Sequence, residues 1–186
     1  MSLRRLPALT PEVLNDEQRA LYESIAGSSR KGFMAMTEND GGLVGPFNAY
    51  LYSPIIGDLL QRLGAAIRAG PHLTRRMQEL AILVTAVDAD SAFETVSHEQ
   101  LALSAGLEPE QVQTLLAGRE PRIEDPAEQM VWRTAVTLVE KGDLSDEEYD
   151  EAVGALGPEK VVDLTTLIGY YRLVALQLRL FRVPTP

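Results

Sequence analysis

The sequence contains no cysteine among its 186 residues and only two histidines, His72 and His98. The missing thiols exclude disulfide bonds, thiolate metal sites and every redox or nucleophilic mechanism that needs a protein thiol. The two histidines do not form a metal-binding H-x-x-x-H or H-E-x-x-H spacing. Glu94 and His98 would supply two ligands of one site, but no third ligand stands out, so we predict no metal and no cofactor.

Basic residues are also scarce, with 17 Lys+Arg against 27 Asp+Glu and a net charge of -10. Because affinity for nucleic acid comes largely from neutralising phosphates, we do not expect this acidic chain to bind it. The longest apolar stretch, 164–180, is interrupted by tyrosine, arginine and glutamine, which is typical of a buried helix rather than a membrane span. With no signal-peptide pattern at the start, the default expectation is a cytoplasmic protein without a membrane partner.

Helix signals dominate the chain, and no segment reads as a convincing strand. Thr10-Pro11 and Ser53-Pro54 are N-cap and proline pairs, and glycines follow many of the predicted helices. The predicted helices cover 11–26, 54–69, 75–88, 91–105, 109–117, 126–141, 146–156 and 158–181. Residues 28–45 hold four glycines and predict a long surface loop. We therefore predict an all-α protein with one structural domain, in which 1–44 packs on a core formed by 45–186.

Ser91, Glu94 and His98 are spaced to share one side of a helix. At 100° per residue, Glu94 and His98 lie about 60° and 20° from Ser91 around the helix axis. A carboxylate four residues before an imidazole is a proton-transfer pair, because the ring gives or takes a proton near neutral pH. The alternatives are a solvated Glu94–His98 surface pair and a serine that only caps the helix.

The order of motifs resembles the carboxymuconolactone decarboxylase family of the alkylhydroperoxidase D-like (AhpD-like) superfamily. The segments that carry the resemblance are Arg76-Met-Gln-Glu79-Leu-Ala-Ile-Leu83, Phe93-Glu94-Thr-Val-Ser-His98-Glu-Gln-Leu-Ala102, Gly45-Pro-Phe-Asn-Ala-Tyr-Leu-Tyr-Ser-Pro54 and Leu167-Ile-Gly-Tyr-Tyr171. The resemblance covers about residues 45–183. It implies an AhpD-like bundle of seven or eight helices that forms a homo-oligomer, a trimer or hexamer, with the site near a subunit interface.

The peroxidase branch of this superfamily has two redox cysteines between a glutamate and a histidine. When that glutamate is placed on Glu79, the two cysteine positions fall on Ser91 and Glu94, and the histidine falls on His98. Dithiol reduction of a peroxide needs a thiolate nucleophile and a resolving thiol, which a hydroxyl and a carboxylate do not replace. We therefore predict that the protein is not a thiol peroxidase and that it resembles the decarboxylase branch.

The resemblance implies a cofactor-independent lyase that acts on a small carboxylated lactone or related acid, as in the catabolism of aromatic compounds. In such an enzyme His98 would be the proton donor or oxyanion partner, and Glu94 would orient His98 or carry its proton. Glu79 would reach the same site from the preceding helix, or else be a packing carboxylate paired with Arg75 or Arg76. The rival predictions are a non-catalytic oligomeric binding protein and an isomerase or hydratase using the same Glu–His pair.

A small acidic substrate needs a local cation in so acidic a chain. Arginine suits this role because its planar fork binds a carboxylate through two hydrogen bonds. The candidates are Arg75, Arg76 and Arg172, with Arg133 less favoured, although a surface role is the commoner explanation for each. Asn48 and Tyr170 are predicted pocket residues, with a turn role and a core or interface role as their respective alternatives. The physiological substrate stays open at this stage.

Overall fold

The structure is a computed structural model that describes residues 4–27 and 36–186. Within these ranges there are nine α-helices, one 3₁₀ turn and a single isolated antiparallel bridge between Thr37 and Leu43, and no strand. The helices are α1 (Asp16–Ala26), α2 (Phe47–Leu51), α3 (Pro54–Ala69), α4 (Arg75–Asp88), α5 (Ala92–Ser104), α6 (Pro109–Leu116), α7 (Pro126–Lys141), α8 (Asp146–Leu156) and α9 (Pro158–Leu180). The all-α prediction is confirmed.

The first helix begins later than the sequence pattern predicts. Pro11–Val13 forms only a 3₁₀ turn, and the Thr10 side chain makes no capping hydrogen bond. Helix α1 starts at Asp16 because Asn15 and Gln18 form a capping box, in which each side chain accepts a hydrogen bond from the backbone N–H of the other. The stronger reciprocal cap therefore sets the start of the helix.

The segment before α3 contains a helix that was not predicted. Helix α2 has five residues, which is too short to show a 3.6-residue periodicity in the sequence. The described part of the predicted loop, 36–45, carries the Thr37–Leu43 bridge and two glycines, Gly41 and Gly45, with positive φ. The rest of that predicted loop, 28–35, lies outside the described residues.

The contacts divide the chain into two compact units, the first formed by residues up to Ala66 together with Gln177–Pro186. One cluster of buried apolar residues in this unit consists of Leu14, Leu21, Ile25, Met36, Leu43, Tyr50 and Leu51. The backbone N–H of Arg5 donates to the carbonyl of Phe181 at 2.9 Å, which ties the two chain segments of this unit together. The predicted domain organisation, with its boundary between residues 44 and 45, stays a prediction.

The second unit, Ile67–Leu176, is organised around α4. Ten consecutive residues of α4, from Met77 to Ala86, are buried, and the helix packs against α5, α6 and α7. A helix buried on all sides normally carries only apolar residues, so a carboxylate in its middle needs a dedicated partner. Glu79 is such a carboxylate, with no solvent exposure at all.

Helix α9 contributes Leu164, Leu167, Ile168 and Tyr171 to the core of the second unit. By length and composition it is also the one helix among the described residues apolar enough to cross a membrane. Core helices of soluble proteins often share that composition, so the helix alone is weak evidence for a membrane span.

Candidate active site

A tight turn between α4 and α5 brings the predicted acid–base residues together. Asp90 adopts a left-handed conformation with φ of 50°, and the Ser91 N–H donates to the Ala86 carbonyl at 2.9 Å. The Asp90 N–H donates to Val87 at 3.0 Å, which completes a Schellman-type helix end. The chain reverses at this point, so α5 packs alongside α4 and turns its buried face towards Glu79.

Both ring nitrogens of His98 are paired with carboxylates. Its Nδ1 lies 2.7 Å from Oε2 of Glu79 on α4, and its Nε2 lies 3.2 Å from Oε2 of Glu94 on α5. The exposed fractions of the side chains are 9% for His98, 0% for Glu79 and 6% for Glu94. The Glu94–His98 pair is therefore buried, and Glu79 joins it across the helix interface.

Arg68 extends this cluster by one more charge. The residue lies in the last turn of α3, and its Nη1 donates to Oε1 of Glu79 at 2.5 Å. The result is a row of alternating charge, Arg68–Glu79–His98–Glu94, which we call the charge row. Sequence reasoning missed Arg68, because the partners expected for Glu79 were Arg75 and Arg76 in its own helix.

The pairing within the charge row shifts the pKa values of His98 and Glu79. Burial alone lowers the pKa of His98, but the hydrogen bonds and charges of Glu79 and Glu94 outweigh it and raise that pKa to about 9. Burial likewise raises the pKa of Glu79, but His98 and Arg68 outweigh it, so this pKa lies below its ordinary value. At neutral pH His98 is therefore an imidazolium whose two N–H groups both donate to carboxylates.

Tyr171 on α9 forms the aromatic wall beside this imidazolium. The ring centroids of Tyr171 and His98 are 5.1 Å apart, with the rings nearly perpendicular. Burial raises the pKa of Tyr171 well above its ordinary value, so its phenol stays protonated. The predicted pocket residue was the adjacent Tyr170, whose ring stacks edge-on against Tyr171 at 5.5 Å. Neighbouring residues point about 100° apart on a helix, and the apolar run around them gives no signal that separates the two.

The predicted cations Arg75 and Arg76 are engaged elsewhere in the second unit. Arg75 is exposed and donates to the Gln78 side chain at 3.2 Å. Arg76 donates twice to the carboxylate of Glu128 on α7, at 2.8 and 3.0 Å, and also to the carbonyl of Gly106. This bidentate ion pair joins α4 to α7. The predicted role of both arginines in substrate binding stays a prediction that the contacts do not favour.

Asn48 lies in the first unit, where its side chain bridges backbone groups. Its Oδ1 accepts from the Leu9 N–H, and its Nδ2 donates to the Pro7 carbonyl, both at 2.9 Å. These contacts match the turn role that the sequence left open for this residue. The third candidate cation, Arg172, is paired with Asp88 at 2.8 Å, and the less favoured Arg133 with Glu151 at 3.2 Å.

Ser91 occupies the N-cap position of α5, but its side chain makes no capping hydrogen bond. Its Oγ is buried and has no hydrogen-bond partner among the described residues. Ser91 therefore occupies the N-cap position that the sequence indicates, but its side chain does not make the hydrogen bond of a capping serine.

Among the described residues, no group of three or more His, Asp or Glu side chains is arranged to hold a metal ion.

A cavity of about 730 Å³ in the second unit lies away from the charge row and has a different character. It is lined by Arg76, Glu108, Glu110, Gln111, Thr114, Glu120, Arg122, Glu124, Asp125 and Glu128. Six of these ten residues are acidic, which disfavours an acidic ligand. The charge row remains the better candidate for acid–base chemistry, because it combines burial, a raised histidine pKa and a histidine paired with two carboxylates.

Comparisons with known proteins agree with the sequence resemblance. Residues 54–137 match the model of the carboxymuconolactone decarboxylase family, and this segment contains the whole charge row. No curated protein sequence matches the chain.

Solved structures that resemble the chain share the AhpD-like fold. A core of alkylhydroperoxidase AhpD, an uncharacterised peroxidase-related protein from Ralstonia eutropha JMP134, superposes with a TM-score of 0.78 at 13% identity, covering 100% of this chain and 94% of that one. A peroxidase-related protein from Silicibacter sp. TM1040 gives 0.77 at 11% identity, covering 100% and 93%. A cysteine-to-alanine variant of the debrominase Bmp8 in complex with 2,3,4-tribromopyrrole gives 0.75 at 12% identity, covering 99% and 94%. At such identities these similarities show the fold alone.

Proposed function

We propose, on the premise that residues 54–137 belong to the carboxymuconolactone decarboxylase family, that the protein is a cofactor-independent lyase. Its substrate would be a small carboxylated lactone or a related acid. The observation that carries the proposal is the charge row, in which a protonated imidazole is buried between two carboxylates. Such an arrangement keeps a proton available in a site shielded from water.

The reaction class needs one electron sink and one proton. When the bond between the ring carbon and the carboxylate breaks, CO2 leaves and the electron pair passes into the lactone carbonyl as an enolate. A proton must then add to carbon. Both N–H groups of His98 are occupied, so its proton reaches a substrate through Glu94, which is paired with Nε2. His98 then regains its proton from solvent, because its pKa of about 9 favours the charged form at neutral pH.

Glu79 has a positioning role in this scheme. It holds Nδ1 of His98 at 2.7 Å and so fixes the ring with Nε2 directed at Glu94. A thiol-dependent reaction does not compete with this proposal, because the chain has no cysteine.

A second candidate is a non-catalytic oligomeric protein, which the low exposure of the charge row favours. The polar groups of His98, Glu79 and Glu94 pair with one another, as they would in a purely structural network. An isomerase or hydratase would use the same residues without loss of CO2. Incubation with an acid substrate separates these possibilities. Release of CO2 indicates the lyase, conversion without CO2 release indicates an isomerase or hydratase, and no conversion favours the non-catalytic protein.

The test is to assay carboxylated butenolides for CO2 release, with His98→Asn as the diagnostic variant. We expect kcat to fall by about 10²–10⁴-fold, the usual contribution of a positioned proton donor. His72→Asn is the matched control and should keep full activity. In D2O the product should carry deuterium at the carbon that lost CO2. Unchanged turnover in His98→Asn would refute the proton path, and no turnover by the wild type would favour the non-catalytic candidate.

A homo-oligomer, trimer or hexamer, is part of the proposal. It is supported by large apolar residues on α3 that remain exposed in the single chain, among them Ile55, Ile56 and Leu59. Ile55 is 74% exposed. Size-exclusion chromatography with light scattering should give a particle several times the 20.4 kDa chain mass, and a monomeric particle would contradict it.

A further inference from the structure

We infer that Arg68 binds the carbonyl oxygen that becomes an oxyanion in the reaction, and that the substrates are therefore acids whose departing carboxylate is attached to the carbon next to a lactone or ketone carbonyl, or to the vinylogous carbon. The inference rests on the proposed lyase function and goes beyond it by assigning the electron sink to one side chain. Neither the sequence motifs nor the family match assigns a role to this arginine.

The position of Arg68 gives it one buried edge and one open edge. Its Nη1 donates to the fully buried carboxylate of Glu79, while the arginine side chain itself is 22% exposed. This exposure exceeds that of every other member of the charge row. No other acceptor for the guanidinium is found in 4–27 and 36–186, so its remaining N–H groups are available to a ligand.

Two other cations of the second unit, His98 and Arg76, already have carboxylate partners. His98 donates from both ring nitrogens to Glu79 and Glu94. Arg76 is committed to Glu128 through two hydrogen bonds. Arg68 is therefore the member of the charge row that can bind an anionic oxygen without breaking an existing pair.

Arg68 and His98 are joined through one carboxylate. Arg68 pairs with Oε1 of Glu79 at 2.5 Å and His98 pairs with Oε2 of the same residue at 2.7 Å, while the ring of Tyr171 lies 5.1 Å from the imidazole. The guanidinium is therefore separated from the imidazolium by a single carboxylate. A substrate in this region would have its carbonyl oxygen on Arg68 and its ring carbon towards Glu94.

The direction of charge movement decides which substrate oxygen Arg68 binds. A cation on the departing carboxylate would stabilise the ground state, because negative charge leaves that group as CO2 forms. A cation on the carbonyl oxygen stabilises the transition state, because negative charge arrives there. Catalysis gains only from the second arrangement.

The probe for this inference is tetronate, a lactone enolate anion that has no carboxylate. Its neutral partner is 4-methoxy-2(5H)-furanone, which has nearly the same shape. We expect the wild type to bind tetronate at least about 10-fold more tightly than the methyl ether at pH 7, measured by calorimetry. Arg68→Gln should remove this preference, and Arg68→Lys should keep part of it. Arg62→Gln, an exposed arginine paired with Asp58 on the same helix, should leave it unchanged.

Each outcome separates the inference from the proposed function. If Arg68→Gln folds, as judged by circular dichroism, and still prefers tetronate, the inference is wrong. Equal binding of the two probes by the wild type also overturns it. If the preference depends on Arg68 but no carboxylated lactone is turned over, the anion site stands and the lyase proposal fails. If lactones are turned over and Arg68→Gln keeps the wild-type kcat, the lyase stands without this role for Arg68.

Discussion

The second unit contains two histidine–carboxylate pairs with nearly the same geometry and very different surroundings. Nδ1 of His98 lies 2.7 Å from Glu79, and Nδ1 of His72 lies 2.8 Å from Asp163. The first pair is almost fully buried, with side-chain exposures of 9% and 0%. The second is open to water, with exposures of 45% and 37%.

The comparison shows that a short distance alone does not make a reactive site. Two charges about 4 Å apart attract each other with about 1 kcal/mol in bulk water and several times more near or below a protein surface. His98 also has a second carboxylate, Glu94, on its other nitrogen, whereas the only ion pair found for His72 in the described chain is with Asp163. Burial and the second carboxylate therefore distinguish the candidate site from an ordinary surface pair.

The largest effect that we predict from this difference is on stability. Glu79→Gln leaves Arg68 and His98 without their shared carboxylate in a buried place, and we expect it to lower the free energy of unfolding by about 3–5 kcal/mol. Asp163→Asn, the same kind of change in the exposed pair, should cost less than about 1 kcal/mol. Urea denaturation of the two variants measures both values. Equal costs would show that burial does not distinguish the two pairs.

A double variant sharpens this first prediction. If the cost of Glu79→Gln comes from an unpaired buried cation, removing that cation as well should recover part of the stability. We expect Arg68→Gln/Glu79→Gln to be more stable than Glu79→Gln alone. If the stability losses of the two single variants simply add in the double variant, Arg68 does not depend on Glu79 for its charge balance.

The next effect is the pH dependence of stability. The folded-state pKa of His98 is raised from 6.5 to about 9, so its contribution is complete below pH 6.5 and is lost as the pH rises towards 9. This contribution is on the order of 3 kcal/mol. Burial opposes this shift, and the hydrogen bonds and charges of Glu79 and Glu94 produce it. We expect the free energy of unfolding to fall between pH 6.5 and 9, measured by urea denaturation.

Two variants check the origin of this slope. His98→Asn should flatten the profile between pH 6.5 and 9, because the titrating group is gone. His72→Asn should keep the wild-type slope, because the exposed pair is screened by water. A wild-type profile that is flat over this interval would show that His98 is not held in its charged form.

Local patterns were sufficient to predict much of this unit. The spacing of Glu94 and His98 placed them as neighbours on α5, and the cap and glycine signals gave most helix ends. Glu79 entered through the family resemblance, and its pairing with His98 across nineteen residues follows from the packing of α4 on α5. These features depend on helix periodicity and on one short turn, both of which are encoded locally.

The positions of Arg68 and Tyr171 beside the other site residues depend on tertiary packing, and no local sequence pattern indicates them. Arg68 reaches Glu79 from a different helix, across a turn whose angle no sequence pattern fixes. The partner of Arg76 could not be predicted from local patterns either, because Glu128 is 52 residues away in sequence. Only packing shows which of several arginines meets which carboxylate, so residue type and spacing could not choose among them.

The smallest effect that we predict is the response of the two pairs to salt. Asp163→Asn should cost a few tenths of a kcal/mol at low ionic strength, because both side chains of this pair are exposed to water. Because the Debye length shrinks to about 3 Å near 1 M salt, that cost should vanish there. The cost of Glu79→Gln should change little, since salt ions do not reach a buried carboxylate. Urea denaturation at both ionic strengths measures the difference, and a salt-sensitive cost at Glu79 would mean that water already enters the charge row.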